Sequence, residues 1–216
     1  MGGKRLVRMA AALSLLALLT AFADVALIAS NVPKAPKEEP LPVIYDKPLD
    51  KPAEVPVYLQ ADGRWGGLSY AGDDLATSGC GLTCAAMAWE WLYGQTCTPA
   101  QMLGLVGESC LTDGVNDMDK FCRWMNANDR ALGYTPIHDN ADDALAEAAG
   151  GWMVFCSLTG RLREGGKSYG GHIVLLCGWD GTTATFHDPC EGIVRLSREQ
   201  YEQVNWAYFI AIGSAE

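Results

Sequence analysis

The pattern of apolar and polar positions changes character along the chain. Residues 9–20 form an unbroken apolar run, MAAALSLLALLT, preceded by Lys4, Arg5 and Arg8. Further on, apolar positions recur at helical spacing: Leu82, Ala85, Ala86, Trp89 and Leu92 share one face, and Gly94 stops the helix. Thr98-Pro99-Ala100-Gln101 is a capping box with proline at the first helical position, which predicts a second helix to about Val106. A third helix is predicted over residues 115–128, with Met118, Phe121, Cys122 and Met125 facing inward. A fourth covers residues 141–149 and ends at Gly150-Gly151. Beyond that glycine pair the period shortens. Residues 152–158, 172–178, 183–187, 192–196 and 206–212 read as strands, with a short helix opened by Ser197-Arg198-Glu199-Gln200 before the last. A short strand is also expected over residues 55–60. Helices first and an antiparallel sheet afterwards is an α+β arrangement.

The chain before residue 55 reads differently. A positive start, the apolar run and Ala21-Phe22-Ala23 together make a secretory signal with a small-x-small cleavage site. Apolar character resumes over residues 25–29, so an uncleaved membrane anchor fits the same stretch, although Asp24 inside it is costly in a bilayer. Either way the body is expected to be exported, secreted or held at a membrane. Residues 1–30 are therefore signal or anchor. Residues 31–54 hold most of the prolines among Lys, Glu and Asp, which favours extended conformations over packing. Such a linker would hold the folded part, residues 55–216, away from a membrane or cell wall.

Composition narrows the function classes. With 216 residues, 49% hydrophobic and 19% charged, the chain suits one globular domain with appendages and excludes disorder, collagen and coiled coil. Its formal charge is −10, from 26 acidic and 16 basic side chains, and no basic patch appears, so nucleic acid is not an expected partner. Eight cysteines in an exported chain suggest disulfides. Cys97, Cys110, Cys122 and Cys190 flank helices or turns and are the bridge candidates, with connectivity not readable from sequence. Cys156 and Cys177 lie in apolar runs and read as buried thiols. No CxxC pair occurs and there are three histidines, so a zinc finger is a weak reading; no metal or cofactor is expected.

Cys80 stands between Gly79 and Gly81 at the start of the first predicted helix. Backbone N–H groups and the helix dipole favour an anion there, so a thiolate is stabilised, and the glycines leave room for a substrate backbone. The plainer reading is a structural half-cystine at a tight turn. His172 opens the apolar strand GGHIVLLCGW, again beside two glycines. Trp179-Asp180-Gly181 reads as a three-residue hairpin loop with Gly181 left-handed, a register that sets His172 directly opposite Asp188. A carboxylate facing an imidazole would fix its tautomer and stabilise the imidazolium. Otherwise Asp188-Pro189 is a plain turn. Gln60 is a fourth candidate, as an amide donor to a developing oxyanion, although a lone Gln at a strand end is commonly a surface residue. His138 reads as a loop residue, and His187 alternates to the sheet face opposite Asp188. Trp65, Trp89, Trp91 and Trp152 read as core or groove lining.

These residues resemble a known family. The run VPVYLQADGRWGGLSY…ATSGCGLTCAAMAWEWL…TP, followed by GGHIVLLCGWDG…HDP, is similar to the bacterial papain-like cysteine peptidases of family thirty-nine. Their relatives include the leader peptidases that cut after Gly-Gly in bacteriocin precursors. The resemblance covers about residues 55–212. It implies a papain-like fold, with the nucleophile helix packed on a C-terminal antiparallel sheet. It also implies Cys80 as nucleophile, His172 as base, Asp188 as orienting acid and Gln60 as oxyanion donor. Gln60 departs from the pattern, because leader peptidases carry the glutamine only a few residues before their cysteine. Leu82 replaces the usual proline after Cys-Gly. No transporter membrane domain or ATPase domain follows, so coupling to peptide export is not expected. The activity implied is hydrolysis of peptide bonds in a peptide or protein substrate. The other readings are a non-catalytic surface module binding peptide or wall polymer, and a cell-wall amidase.

Overall fold

The computed structural model describes residues 54–214. The signal or anchor expected over residues 1–30, and all of the linker except Glu54, lie outside the described residues. The folded part opens with the hairpin β1 (Ser69–Tyr70) and β2 (Asp73–Asp74), then the short helix α1 (Leu75–Ser78). Next come α2 (Cys80–Tyr93), α3 (Pro99–Val106), the hairpin β3 (Leu111–Thr112) and β4 (Val115–Asn116), and α4 (Met118–Asn128). After β5 (Leu132–Tyr134) and α5 (Ala141–Ala149), the chain runs through β6 (Met153–Arg161), β7 (Ser168–Trp179), β8 (Thr183–Asp188) and β9 (Gly192–Ser197). It ends in α6 (Arg198–Glu202) and β10 (Asn205–Ser214).

Strands β5-β10-β6-β7-β8-β9 form, in that order, one six-stranded antiparallel sheet. Helices α2, α3 and α4 bury their apolar faces against Phe155, Ile173, Leu175, Ile210 and Ile212 on one face. On the other face, Ala144, Leu145 and Ala148 of α5 and Tyr201 of α6 pack against Val154, Val174, Leu176 and Phe186. A sheet covered on both faces explains why β6 and β7 read as continuous apolar runs rather than alternating ones. Helix α2 is the most deeply set: Leu82, Cys84, Ala85, Ala86, Met87 and Ala88 have no exposed surface. Truncating Leu82 there removes about 2–5 kcal/mol of stability.

Local signals form as expected. Gly94 is left-handed (φ 72°) and closes α2, and capping boxes at Thr98 and Ser197 start α3 and α6. Three expectations are corrected. Residues 55–60 are not a strand: the backbone bond tying them to the sheet runs from Gln60 N–H to Pro189 O, and Tyr58 N–H donates to Met87 Sδ instead of a ladder partner. The third helix begins at Met118, because the Asp117 carboxylate caps Lys120 N–H, while Val115 and Asn116 pair with Thr112 and Leu111. The cysteines proposed for bridges are free thiols, with Cys97, Cys110 and Cys122 buried as small apolar residues and Cys190 half-buried. Cys156 is buried as expected, and Cys177 is half-buried.

Candidate active site

Cys80 is the first residue of α2, half-buried, with Gly79 as N-cap and no side chain capping the helix start. The free N–H groups of that first turn therefore face outward from the helix end beside Sγ. The flanking glycines are not open space. A Cβ on Gly79 would lie 2.5 Å from Leu75 O, and one on Gly81 would lie 2.5 Å from Asn116 Cβ. Both are required by close packing of the chain on itself, which corrects the expectation of room for a substrate.

Asn116 is the residue that sequence reasoning missed. Its Nδ2 donates to Ser78 O at 2.8 Å and lies 3.9 Å from Cys80 Sγ. The hydroxyl of Tyr70, fully buried, donates to Asn116 Oδ1 at 2.8 Å, so the amide cannot turn its oxygen toward the sulfur without losing that bond. No local motif marks Asn116: it arrives at the site from 36 residues downstream on a two-residue strand.

His172 and Asp188 meet in a buried pair, Nε2 to Oδ1 at 2.9 Å. They do so by a register other than the one expected. The Asp180 carboxylate accepts from Thr182 and Thr183 N–H, so the turn lengthens and Trp179 pairs with Ala184. Continued along the strands, that odd offset would send His172 and Asp188 to opposite faces. A bulge between Leu176 and Gly178 removes the oddness, and Leu175 pairs with His187. Asp188 then sits diagonal to His172 on one face, within side-chain reach. Gly181 does take positive φ, at 93°.

Burial of the His172 ring opposes its charge, but hydrogen bonds to Asp188 and to Cys80 outweigh it and push its pKa up to about 9. With Nε2 turned to Asp188, Nδ1 is the nitrogen left for Cys80. Tyr169 stacks on the imidazole at 3.9 Å between centroids and 12° between planes, which holds the ring plane. Asp188 Oδ1 also accepts Cys190 N–H at 2.7 Å and Glu191 N–H at 3.3 Å, fixing the carboxylate from the β8–β9 turn. Beside His172, a Cβ on Gly170 or Gly171 would meet nothing within 4 Å. Here the expected free space is real.

Gln60 is 3% exposed and spans both halves of the site. Its Nε2 donates to Ala76 O at 2.7 Å, just before the Cys80 turn, and its N–H donates to Pro189 O, just after Asp188. The other histidines are engaged elsewhere. His138, in a loop bridged to Phe209, pairs with Glu147 at 3.3 Å. The buried His187 donates from Nδ1 to Pro56 O, 2.9 Å away, and desolvation lowers its pKa. Trp65 and Trp89 are core residues.

No family model and no curated protein matches the chain. Among solved structures it is similar to one from Bacillus anthracis described as a C39-like peptidase, with TM-score 0.52 and 15% identity over 77% of this chain and 98% of that one. A double-glycine motif protease from an AMS/PCAT transporter, solved with its leader peptide, aligns at TM-score 0.48 and 17% identity over 78% and 97% of the two chains. The first similarity shows the fold: α+β, of the C39-like papain-like peptidase type.

Proposed function

We propose that this chain, which has the fold of a C39-like peptidase, is an exported cysteine peptidase that hydrolyses amide bonds through an acyl-enzyme. The observation that carries the reading is the buried His172–Asp188 pair, hydrogen-bonded onward to a cysteine at an uncapped helix start. Cys80 is the nucleophile, His172 the acid and base, and Asp188 the orienting acid. The Cys80 thiolate attacks the carbonyl carbon, a C–S bond forms, and the carbonyl electron pair moves onto oxygen. Cys80 N–H and the second N–H of Gln60 Nε2 stabilise that oxyanion. The Nδ1 proton of imidazolium His172 passes to the departing amine as the C–N bond breaks. Neutral His172 then takes a proton from water, hydroxide adds to the thioester, and the thiolate leaves. Asn116 Nδ2 steadies the sulfur in its charged form.

A thiol-directed peptidase inhibitor tests this on the secreted domain. Labelling is expected at Cys80 and is expected to disappear in His172→Ala, while Cys80→Ala folds normally and hydrolyses nothing. Wild-type turnover in Cys80→Ala, or a native disulfide mapped to Cys80, overturns the assignment.

A further inference from the structure

Next to the proposed catalytic pair stands a thiol, Cys190, that hydrolysis does not use. One ligand-type atom each from His172, Asp188 and Cys190 lies within 4.8 Å of the others. His172 is 4% exposed, Asp188 fully buried and Cys190 half-buried, so Cys190 is the most exposed member of the group. The Asp188 carboxylate is not satisfied by the protein. Its Oδ1 takes all its hydrogen bonds, while Oδ2 is buried with no donor among the described residues. An orphaned carboxylate oxygen at a fully buried residue is costly unless a cation or donor reaches it. The Cys190 thiol sits against the Tyr169 hydroxyl, on the same tyrosine that stacks on His172, so the third ligand is held beside the other two.

We propose that this group is a zinc site, and that zinc bound there switches the hydrolase off. One imidazole nitrogen, one carboxylate oxygen and one thiolate, with a fourth position open to water, is a donor set suited to Zn²⁺ and unsuited to the hard cations Mg²⁺ and Ca²⁺. Nε2 is the nitrogen on the Asp188 side and is therefore the ligand. Coordination displaces the Cys190 thiol proton and the Nε2 proton. The ring then keeps one proton, at Nδ1, and its other lone pair is on the metal. No lone pair remains to accept a proton from the attacking water, so the acyl-enzyme cannot be hydrolysed. The regulatory role rests on the function proposed above; the binding site does not.

The experiment reads the two separately. In Cys80→Ala, which removes the competing thiol, Co²⁺ is titrated as a spectroscopic stand-in and Zn²⁺ by calorimetry. One bound ion with a thiolate-to-cobalt charge-transfer band is expected. Adding Cys190→Ala or Cys190→Ser should abolish the band and weaken zinc binding about tenfold or more, as loss of one of three protein ligands requires. In the Cys80-containing protein, the zinc concentration for half-inhibition, normalised to each variant's own rate, should rise by a similar factor in both Cys190 variants. Absence of binding in Cys80→Ala, or a band that survives both Cys190 substitutions, overturns the site. Zinc inhibition that is unchanged by loss of Cys190 places the ion on Cys80 and His172 and overturns the switch. Failure of hydrolysis in the wild-type protein alone leaves the binding result standing.

Discussion

The two ends of the candidate site carry the same local signature, a reactive side chain beside glycines, and use it in opposite ways. At the Cys80 end, Gly79 and Gly81 are pressed against Leu75 and Asn116, and their missing Cβ atoms let the chain fold onto itself. At the His172 end, Gly170 and Gly171 face open space. One end is an interior joint at the start of the Cys80 helix; the other leaves open space beside the imidazole. The difference teaches that glycine beside a functional residue marks close approach, without saying by what. Only the tertiary partners decide whether protein or ligand fills the gap.

The sharpest way to test the base end is to remove its charge. Asp188→Asn is expected to lower kcat by about 10²–10³-fold with little change in KM, because an amide can present its NH₂ to the ring and favour the wrong tautomer. The pH profile should move as well. His172 holds its proton up to about pH 9, since the hydrogen bonds to Asp188 and Cys80 outweigh the opposing burial. Removing the carboxylate charge leaves the desolvation, so the alkaline limb of activity moves down in pH. An alkaline limb that stays in place in Asp188→Asn would show that the carboxylate does not set the charge on His172.

The joint at the Cys80 end is broken by one methyl group. Gly81→Ala puts a Cβ 2.5 Å from Asn116 Cβ and 2.9 Å from Met118 Sδ, so something must shift. Overpacking of this kind costs about 1–3 kcal/mol, and we expect at least about a tenfold fall in kcat/KM as the helix start moves. Asn116→Gly in the same chain should recover part of the stability, a non-additivity that a denaturant melt of the four variants measures. Strictly additive effects would mean that the two residues are not in contact. Asn116→Ala alone orphans the buried Tyr70 hydroxyl, at a cost of about 1–3 kcal/mol, and removes the amide beside Sγ. It is expected to slow alkylation of Cys80 by iodoacetamide near neutral pH by several-fold, since the thiolate loses a donor.

Sequence and structure part company where distance along the chain grows. Gly94, Thr98 with Gln101, and Ser197 with Gln200 act on neighbours three or four residues away, and the elements they bound are legible from those residues alone. Cys80, His172 and Asp188 are singled out by motif and resemblance, and the fold brings them together, with Gln60 lying beside both halves of the candidate site. The register was not legible. It depends on the Asp180 side chain lengthening a turn and on a bulge at Cys177 restoring the parity, two opposite shifts that no periodicity reveals. Asn116 was hidden for a related reason. An apolar residue at 115 extends the helical pattern of α4 backwards, so the segment reads as a helix start while the Asp117 cap frees it to form a hairpin.

The smallest effect belongs to the open end and completes the contrast. Gly171→Ala adds a methyl group where nothing lies within 4 Å, and the backbone there is not left-handed, so no clash and no strain arise. Stability should stay within about 0.5 kcal/mol of the parent, as for substitutions away from packed features. If the space serves the substrate, the methyl group occupies part of it, and the loss is uniform binding rather than chemistry. KM should then rise a few-fold while kcat holds. Equal methyl additions would thus unfold one end of the site by degrees and merely crowd the other. A kcat fall in Gly171→Ala with KM unchanged would mean that this glycine, too, aims a catalytic group, and the contrast between the two ends would collapse.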